Sequence, residues 1–358
     1  MRLGPRRTAA YAALLLVTSL AGFASAPSAS AAPIVVTPDV ARLPVGALPA
    51  LPYVDWPARR IVDGDRRVSI SGIQGRVFEL HKVDGGYLLR RRIPSQAEYD
   101  LVFVSNRGAR KVLATGVLGG TLPVSRHGDK VIVNVGTDGG ITDSYVETRV
   151  LALPGGQLLR RRDFGSRPPG LYGFGINRAL ILTVDQTSID TVWWTPSSDS
   201  LELLRRDASI ESADLSAWDW AVRPQDGSDP YSVQGLPPHT APNWPVDQED
   251  FNLTAWSPDD TKIVGNNERT EGDGEISSTA YLVYRASDGA PLLVVRNESP
   301  SQATWETNSR VLLRTKLFES SPRTYQLIRC TLSGSCSRVG PRTTEVDGAI
   351  IPATRRNS

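Results

Sequence analysis

The stretch "AWSPDDTKIVG", residues 255–265, decides how this chain folds. An aromatic residue closes one apolar run, Ser257-Pro258-Asp259-Asp260 turns the chain, and Lys262 opens the next run. Proline presets the first turn position, and aspartate side chains bond backbone amides within a turn. The stretch therefore reads as a hairpin between two strands. Outward from it lie "KVIVNVG" (130–136), "RALILTV" (178–184), "TVWWTP" (191–196), "AYLVYRA" (280–286) and "RVLLRTK" (310–316). Each is rich in β-branched or aromatic residues and is cut off by Gly, Asp, Asn or Pro, and none belongs to a sustained 3.6-residue period. The fold class is all-β.

The runs recur in order. "GGQLLRRR" (155–162), "SLELLRR" (200–206) and "GAPLLVVR" (289–296) share an ending, and Leu158, Leu203 and Leu293 are spaced by 45 and then by twice 45. A further copy, "GGYLLRRR" (85–92), is out of phase and belongs to a different strand of its own unit. A second set of positions, Tyr87, Lys130, Ala179, Ala221, Lys262 and Arg310, is separated by 43, 49, 42, 41 and 48 residues. A period near 45 with about four short strands per unit is the signature of a β-propeller. The spacing predicts six blades of four antiparallel strands, with seven as the alternative.

Trp256-Ser257-Pro258-Asp259 resembles the repeat of TolB-type and WD40-like propellers of exported bacterial proteins, and "ATWETNSRVLL" (303–313) is a looser copy. Asp260 stands where that repeat usually has glycine. The resemblance implies fold, because the repeat recurs in proteins of unrelated function. It assigns Trp256 and Trp305 to packing between blades.

The ends bound the location. Arg2, Arg6 and Arg7 precede an apolar run from Ala9 to Phe23, and Ala29-Ser30-Ala31 fits a signal-peptidase site. Residues 1–31 are thus expected to be a signal peptide, 32–74 an N-terminal linker and closing strand, 75–341 the propeller, and 342–358 a C-terminal tail. Both cysteines lie far from the leader, so no membrane anchor is expected after cleavage, and the product is expected to be a secreted monomer. Without the three leader arginines, 37 basic residues face 38 acidic ones. That balance argues against a nucleic-acid partner.

Cys330 and Cys336, across a Ser-Gly turn, are expected to form a disulfide between adjacent strands of the last blade. The chain has no nucleophile elbow, zinc-protease or phosphate-loop motif, and His81, His127 and His239 are scattered over different units. No catalytic residue, cofactor or metal site is expected. The proline-rich segment 223–250 breaks the strand pattern; it reads either as a degenerate fourth blade or as a preformed loop. As a loop it would display Tyr231, His239, Trp244, Asp247 and Asp250 for binding. The functional expectation is a non-catalytic module that binds a protein or a cell-envelope polymer. The alternative is a propeller hydrolase or lyase acting on carbohydrate, which would need convergent carboxylates of raised pKa.

Overall fold

The computed structural model describes residues 32–353, apart from 94–97, 137–145, 165–166, 185–187, 207, 216–218, 225–231, 236–243, 246–250, 271–275, 297–299, 318–323 and 344–349. The proposed leader, 1–31, lies outside the described residues. Every regular element among the described residues is a strand.

Two adjacent hairpins make each complete blade. Blade 2 runs Arg76–Val83, Gly86–Arg92, Tyr99–Ser105 and Arg110–Val117. Blade 4 comprises Gly170–Phe174, Ala179–Val184, Ile189–Thr195 and Ser200–Arg206. Blade 5 comprises Ala208–Asp214, Asp219–Pro224, Ser232–Gly235 and Trp244–Pro245. Blade 6 is Phe251–Trp256, Lys262–Thr270, Ile276–Arg285 and Pro291–Arg296, and blade 7 is Pro300–Thr307, Arg310–Leu317, Thr324–Thr331 and Cys336–Thr343.

The other two blades are irregular. Blade 3 has Lys130–Gly136, Val146–Ala152 and Leu158–Asp163, but its first strand is replaced by the stretch 117–125. That stretch pairs through Val117↔Val135 and the Val124↔Val131 bridge, with Leu118 N–H donating to the Asn134 carbonyl at 2.9 Å. Blade 1 has Tyr53–Asp55, Arg60–Asp63 and Arg66–Ser69 from the N-terminal side. Its first strand is Ile350–Pro352 from the far end of the chain, registered as Ile351↔Val54. The described residues make six hydrogen-bonded sheets, one of which has seven strands and runs from blade 2 into blade 3 through Val117↔Val135; divided there, they give seven blades, the larger of the two counts left open by the spacing.

All six sequence anchors fall in the second strand of a blade, from Tyr87 in blade 2 to Arg310 in blade 7. Leu88 lies in a second strand, whereas Leu158, Leu203 and Leu293 lie in fourth strands, which accounts for the phase difference. Blade 1 escaped the count because its N-terminal strands have three or four residues, too short for a visible alternation.

Residues 32–74 are more than a linker, and 342–358 is more than a tail. Besides blade 1, the N-terminal stretch adds Ile34–Val36 parallel to the outer strand of blade 6, in register Ile34↔Leu293. It then adds Val45–Gly46 parallel to the outer strand of blade 7. A sheet's outer strand presents unpaired amides that invite association, and this strap covers two of them. Arg329 fastens it, donating to the Ala47 and Leu48 carbonyls at 3.0 and 3.1 Å while paired with the buried Glu306 carboxylate. Val36, Val40 and Leu43 pack with Leu293 and Trp305 beneath the strap. The strap also rests on the disulfide hairpin. Cys330 and Cys336 are bonded across paired positions, as expected, and Gly334 in their turn has φ +87. A Cβ there would come within 2.8 Å of Ile34 and 3.1 Å of Val36, so glycine serves both the turn and the close packing.

Because each inner sheet is covered on both faces, its strands are apolar on both sides. In blade 3, Val131, Val133 and Val135 pack with blade 2 residues such as Leu101 and Phe103, while Ile132 packs with Phe174 and Trp194 of blade 4. This is why "KVIVNV" reads as a nearly unbroken apolar run. Within it Asn134 is buried between Pro169 O, to which it donates at 2.8 Å, and the Thr148 hydroxyl, from which it accepts at 2.8 Å.

The opening stretch is a hairpin, with Trp256 only 1% exposed. The Ser257 hydroxyl donates to Asp259 at 2.6 Å and accepts from Lys262 N–H at 2.9 Å, and Thr261 Oγ1 donates to Asp259 at 2.8 Å. Asp260 has φ 57, the left-handed conformation for which the related repeat uses glycine. "SRHGDK" (125–130) makes the same turn, with Gly128 at φ 71 in that slot and Ser125 accepting from Lys130 N–H at 3.0 Å. Trp305 does wedge between blades, donating from Nε1 to the Ala255 carbonyl of blade 6 at 3.2 Å.

Two outcomes follow from this hairpin. Trp256→Ala is expected to cost about 3–5 kcal/mol as a large core truncation, measured by chemical denaturation. Burial opposes ionisation of Asp259, but hydrogen bonds from Ser257, Thr261 and Lys262 outweigh it and hold the carboxyl well below the usual range. A depressed folded pKa stabilises above the unfolded value of about 3.9 and is lost as pH falls through the folded one. Asp259→Asn should therefore lower the thermal midpoint at neutral pH, and the gap from the parent should narrow in strong acid.

Candidate functional site

Of the five residues expected to bind, Tyr231, His239, Asp247 and Asp250 lie outside the described residues. The backbone of Trp244 pairs with Val233 in the outermost strand of blade 5. The described parts of 223–250 follow the blade alternative: they contribute strands to blade 5. The segment's two described prolines fit that role: Pro224 ends a strand and Pro245 sits on the sheet edge, where a missing N–H costs no ladder bond.

In blade 2 the described side chains converge at one end of the sheet, where the first strand begins, the second ends and the third begins. Arg76 and Arg92 are directly opposite each other across the first two strands, Glu79 opposes Arg90, and Arg91 opposes Asp100. A register shift between Val77 and Glu79 leaves Phe78 as the extra residue, and such a bulge re-aims a side chain. The Phe78 and Tyr99 rings meet edge to face at 5.2 Å. Arg76 and Arg92 lie 5.1 and 5.3 Å from the Phe78 centroid, and Arg90 lies 5.0 Å from that of Tyr99.

Gly75 sets the entry to this end. Its φ is +79, and a Cβ would meet the Arg92 carbonyl oxygen at 2.4 Å. Glycine is the residue that permits both this conformation and this approach.

Two of the arginines are structural. Arg90 bonds Glu79 at 2.9 Å, and His81 Nε2 lies 2.7 Å from the same carboxylate. Burial would raise the Glu79 pKa, yet His81 and Arg90 beside it hold it below the ordinary value. Arg91 donates to Asp100 and to the Gln74 carbonyl, both at 3.0 Å, with Asp100 buried. Arg92, by contrast, makes no ion pair among the described residues; its partners are the Phe78 and Tyr99 rings. From blade 7, burial lowers the pKa of Arg314, and Arg76 adds to the lowering against the opposing influence of Tyr281 and Tyr325.

The sequence reading missed this cluster. Its signal was present in "GGYLLRRR", whose arginines were used only to mark the repeat. Elsewhere, every carboxylate among the described residues with a resolved shift, from Asp63 to Glu306, is shifted downward. Such groups suit ion pairing and turn-making more than proton donation.

The roles separate by mutation. Removing the Asp100 carboxylate (Asp100→Ala) should strand Arg91 and cost about 3 kcal/mol or more, as for a broken buried pair. Arg92→Gln should leave the thermal midpoint unchanged or slightly raised.

No family model matches the chain, and no curated protein matches it. Solved structures do match in fold. A chain of the mitotic checkpoint complex aligns over 93% of this chain and 91% of its own length, with TM-score 0.52 and 11% identity. Prolyl oligopeptidase B from Galerina marginata aligns over 75% of this chain with TM-score 0.51 and 10% identity, this chain spanning 42% of its length. TolB from Acinetobacter baumannii aligns over 77% of this chain and 65% of its own length, with TM-score 0.45 and 10% identity. This chain spans half the length of a matched prolyl endopeptidase. At these identities the likeness concerns fold alone: the chain has a β-propeller fold.

Proposed function

We propose that this chain is an exported, non-catalytic β-propeller module whose partner is a protein met outside the cytoplasm. The observation that carries this reading is the arginine–aromatic cluster at one end of blade 2. Arginine and tyrosine are enriched where protein partners bind, and here they stand on a rigid sheet instead of a long loop. The leader-like residues 1–31 support export. The matched propeller in the mitotic checkpoint complex is an instance of this fold working within an assembly. The proposal extends to Tyr231, His239, Asp247 and Asp250, the aromatic, imidazole and carboxylate groups that the sequence offers for binding.

The test is capture from cell-envelope extract by the full mature chain, with bound material identified by mass spectrometry and compared with Arg92→Glu. One protein should be retained by the parent and reduced roughly tenfold or more by the charge reversal. Equal capture by both would overturn the placement of the site, and retention of a carbohydrate polymer in its place would overturn the class of partner.

A further inference from the structure

We infer that the cleft between blades 3 and 4 docks an extended segment of a partner protein, which places an apolar side chain in the cleft and a carboxylate on Arg160. The site is separate from the arginine–aromatic cluster of blade 2.

The chain itself shows what such a cleft takes. Strand register makes the clefts between blades 3 and 4 and between blades 6 and 7 counterparts. Lys130 pairs with Ala152 as Lys262 pairs with Arg285, so Ile132↔Val150 corresponds to Val264↔Val283. Arg160 then opposes Val150 as Leu293 opposes Val283. Phe174 of blade 4 and Trp305 of blade 7 stand opposite Ala179 and Val311, the first apolar residues of their second strands. Between blades 6 and 7 the strap lies over this set. Ile34 pairs with Leu293, and Val36, Val40 and Leu43 pack with Leu293 and Trp305, leaving Leu293 0% exposed.

Between blades 3 and 4 no segment among the described residues takes that place, and the outer strand Leu158–Asp163 ends its sheet. A cavity of about 220 Å³ remains, lined by Val150, Phe174 and Pro196, with Leu159 and Ile176 as lips that are 46% and 49% exposed. That volume admits a side chain or two and falls short of the roughly 300–1,000 Å³ of a small-molecule site. An open sheet edge beside a side-chain pocket suits strand addition, in which main-chain bonds give affinity and the pocket gives specificity.

The presence of Arg160 where the counterpart has Leu293 sets the chemistry of the occupant. Arg160 donates from Nε to the Pro196 carbonyl at 2.7 Å, and its terminal nitrogens make no bond among the described residues. Asp199, an acid close enough to interact with Arg160, is already bonded to Trp194 Nε1 at 3.0 Å and to Arg162 at 2.9 Å. Lys130, also on the rim, lies 3.5 Å from Asp129 and 3.5 Å from the Ile176 carbonyl, beyond good bonding distance. A segment with both apolar and acidic side chains fills the cavity and pairs these cations. A neutral or basic segment would cover them unpaired, which selects against it.

The test uses the full mature chain and a fluorescein-labelled peptide of alternating valine and glutamate, followed by anisotropy at low salt. The parent should bind it, and amide exchange at 158–163 should slow in the complex. A version with glutamine for glutamate should bind roughly tenfold more weakly or worse. The same loss is expected in Arg160→Gln, which removes the charge, and in Ser197→Trp, which fills the cavity from its exposed rim. Arg92→Gln should bind as the parent does. An unaltered melting temperature in each variant keeps unfolding out of the comparison. No binding by the parent, or full binding by Arg160→Gln and Ser197→Trp, would overturn the docking site. Equal affinity for the glutamine peptide would overturn the acidic occupant. Loss of binding in Arg92→Gln alone would also sink the inference and move the peptide to blade 2.

Discussion

The pairing of Ile350–Pro352 with Tyr53–Asp55 holds the two ends of the described chain together. Each blade is a twisted sheet with two apolar faces, and one blade cannot bury both. Blade 1 meets blade 2 through Val54, Ile61 and Tyr87, and meets blade 7 through Tyr53, Val62 and Leu312. Without the C-terminal strand, blade 1 would lose its inner member, and the hydrophobic faces on either side of it would lose their support. The ring has no terminal repeat to cap with polar residues, unlike an open solenoid. Closure by a strand from the other end solves the same problem with hydrogen bonds.

Closure of the ring leaves the outer strands as the remaining edges. Blades 6 and 7 have theirs covered by the strap, and the strap depends in turn on details within those blades. Gly334 makes room for Ile34 and Val36. Glu306, whose carboxyl is held below its ordinary value by Arg329 and the Ala50 amide against the opposing effect of burial, orients the guanidinium that grips the strap. A buried pair of this kind is weak evidence for added stability. Its value here is positional, since Arg329 reaches two strap carbonyls only while Glu306 holds its other side.

Much of this architecture was legible because a local pattern and a global one coincide. Turn residues at fixed offsets from apolar runs report the hairpin, and the hairpin is the repeating unit. Lys130, Ala179 and Lys262 all sit where the second strand begins, so their spacing measures the blade. The reading weakened where the unit is built from pieces. Blade 1 draws its strands from both ends, and blade 3 uses an irregular stretch for its first strand; neither leaves a period. Proline misled in blade 5, because at a sheet edge it is compatible with a strand, and composition alone does not tell an edge from a loop. Asp260 was recognised as a departure from the related repeat, and its positive φ explains it: aspartate tolerates the left-handed region better than most residues.

The arginine–aromatic cluster was hidden for a different reason. In a linear sequence, Arg90-Arg91-Arg92 is a run of three equivalent charges. Folding makes them unequal. Pairing assigns Arg90 to Glu79 and Arg91 to Asp100, both carboxylates on neighbouring strands. Arg92, at the strand end, instead opposes another arginine, and the bulge at Phe78 supplies the ring that both share. Chemically identical residues thus receive different surroundings from the fold, and those surroundings follow from strand register, which a run of three arginines does not advertise.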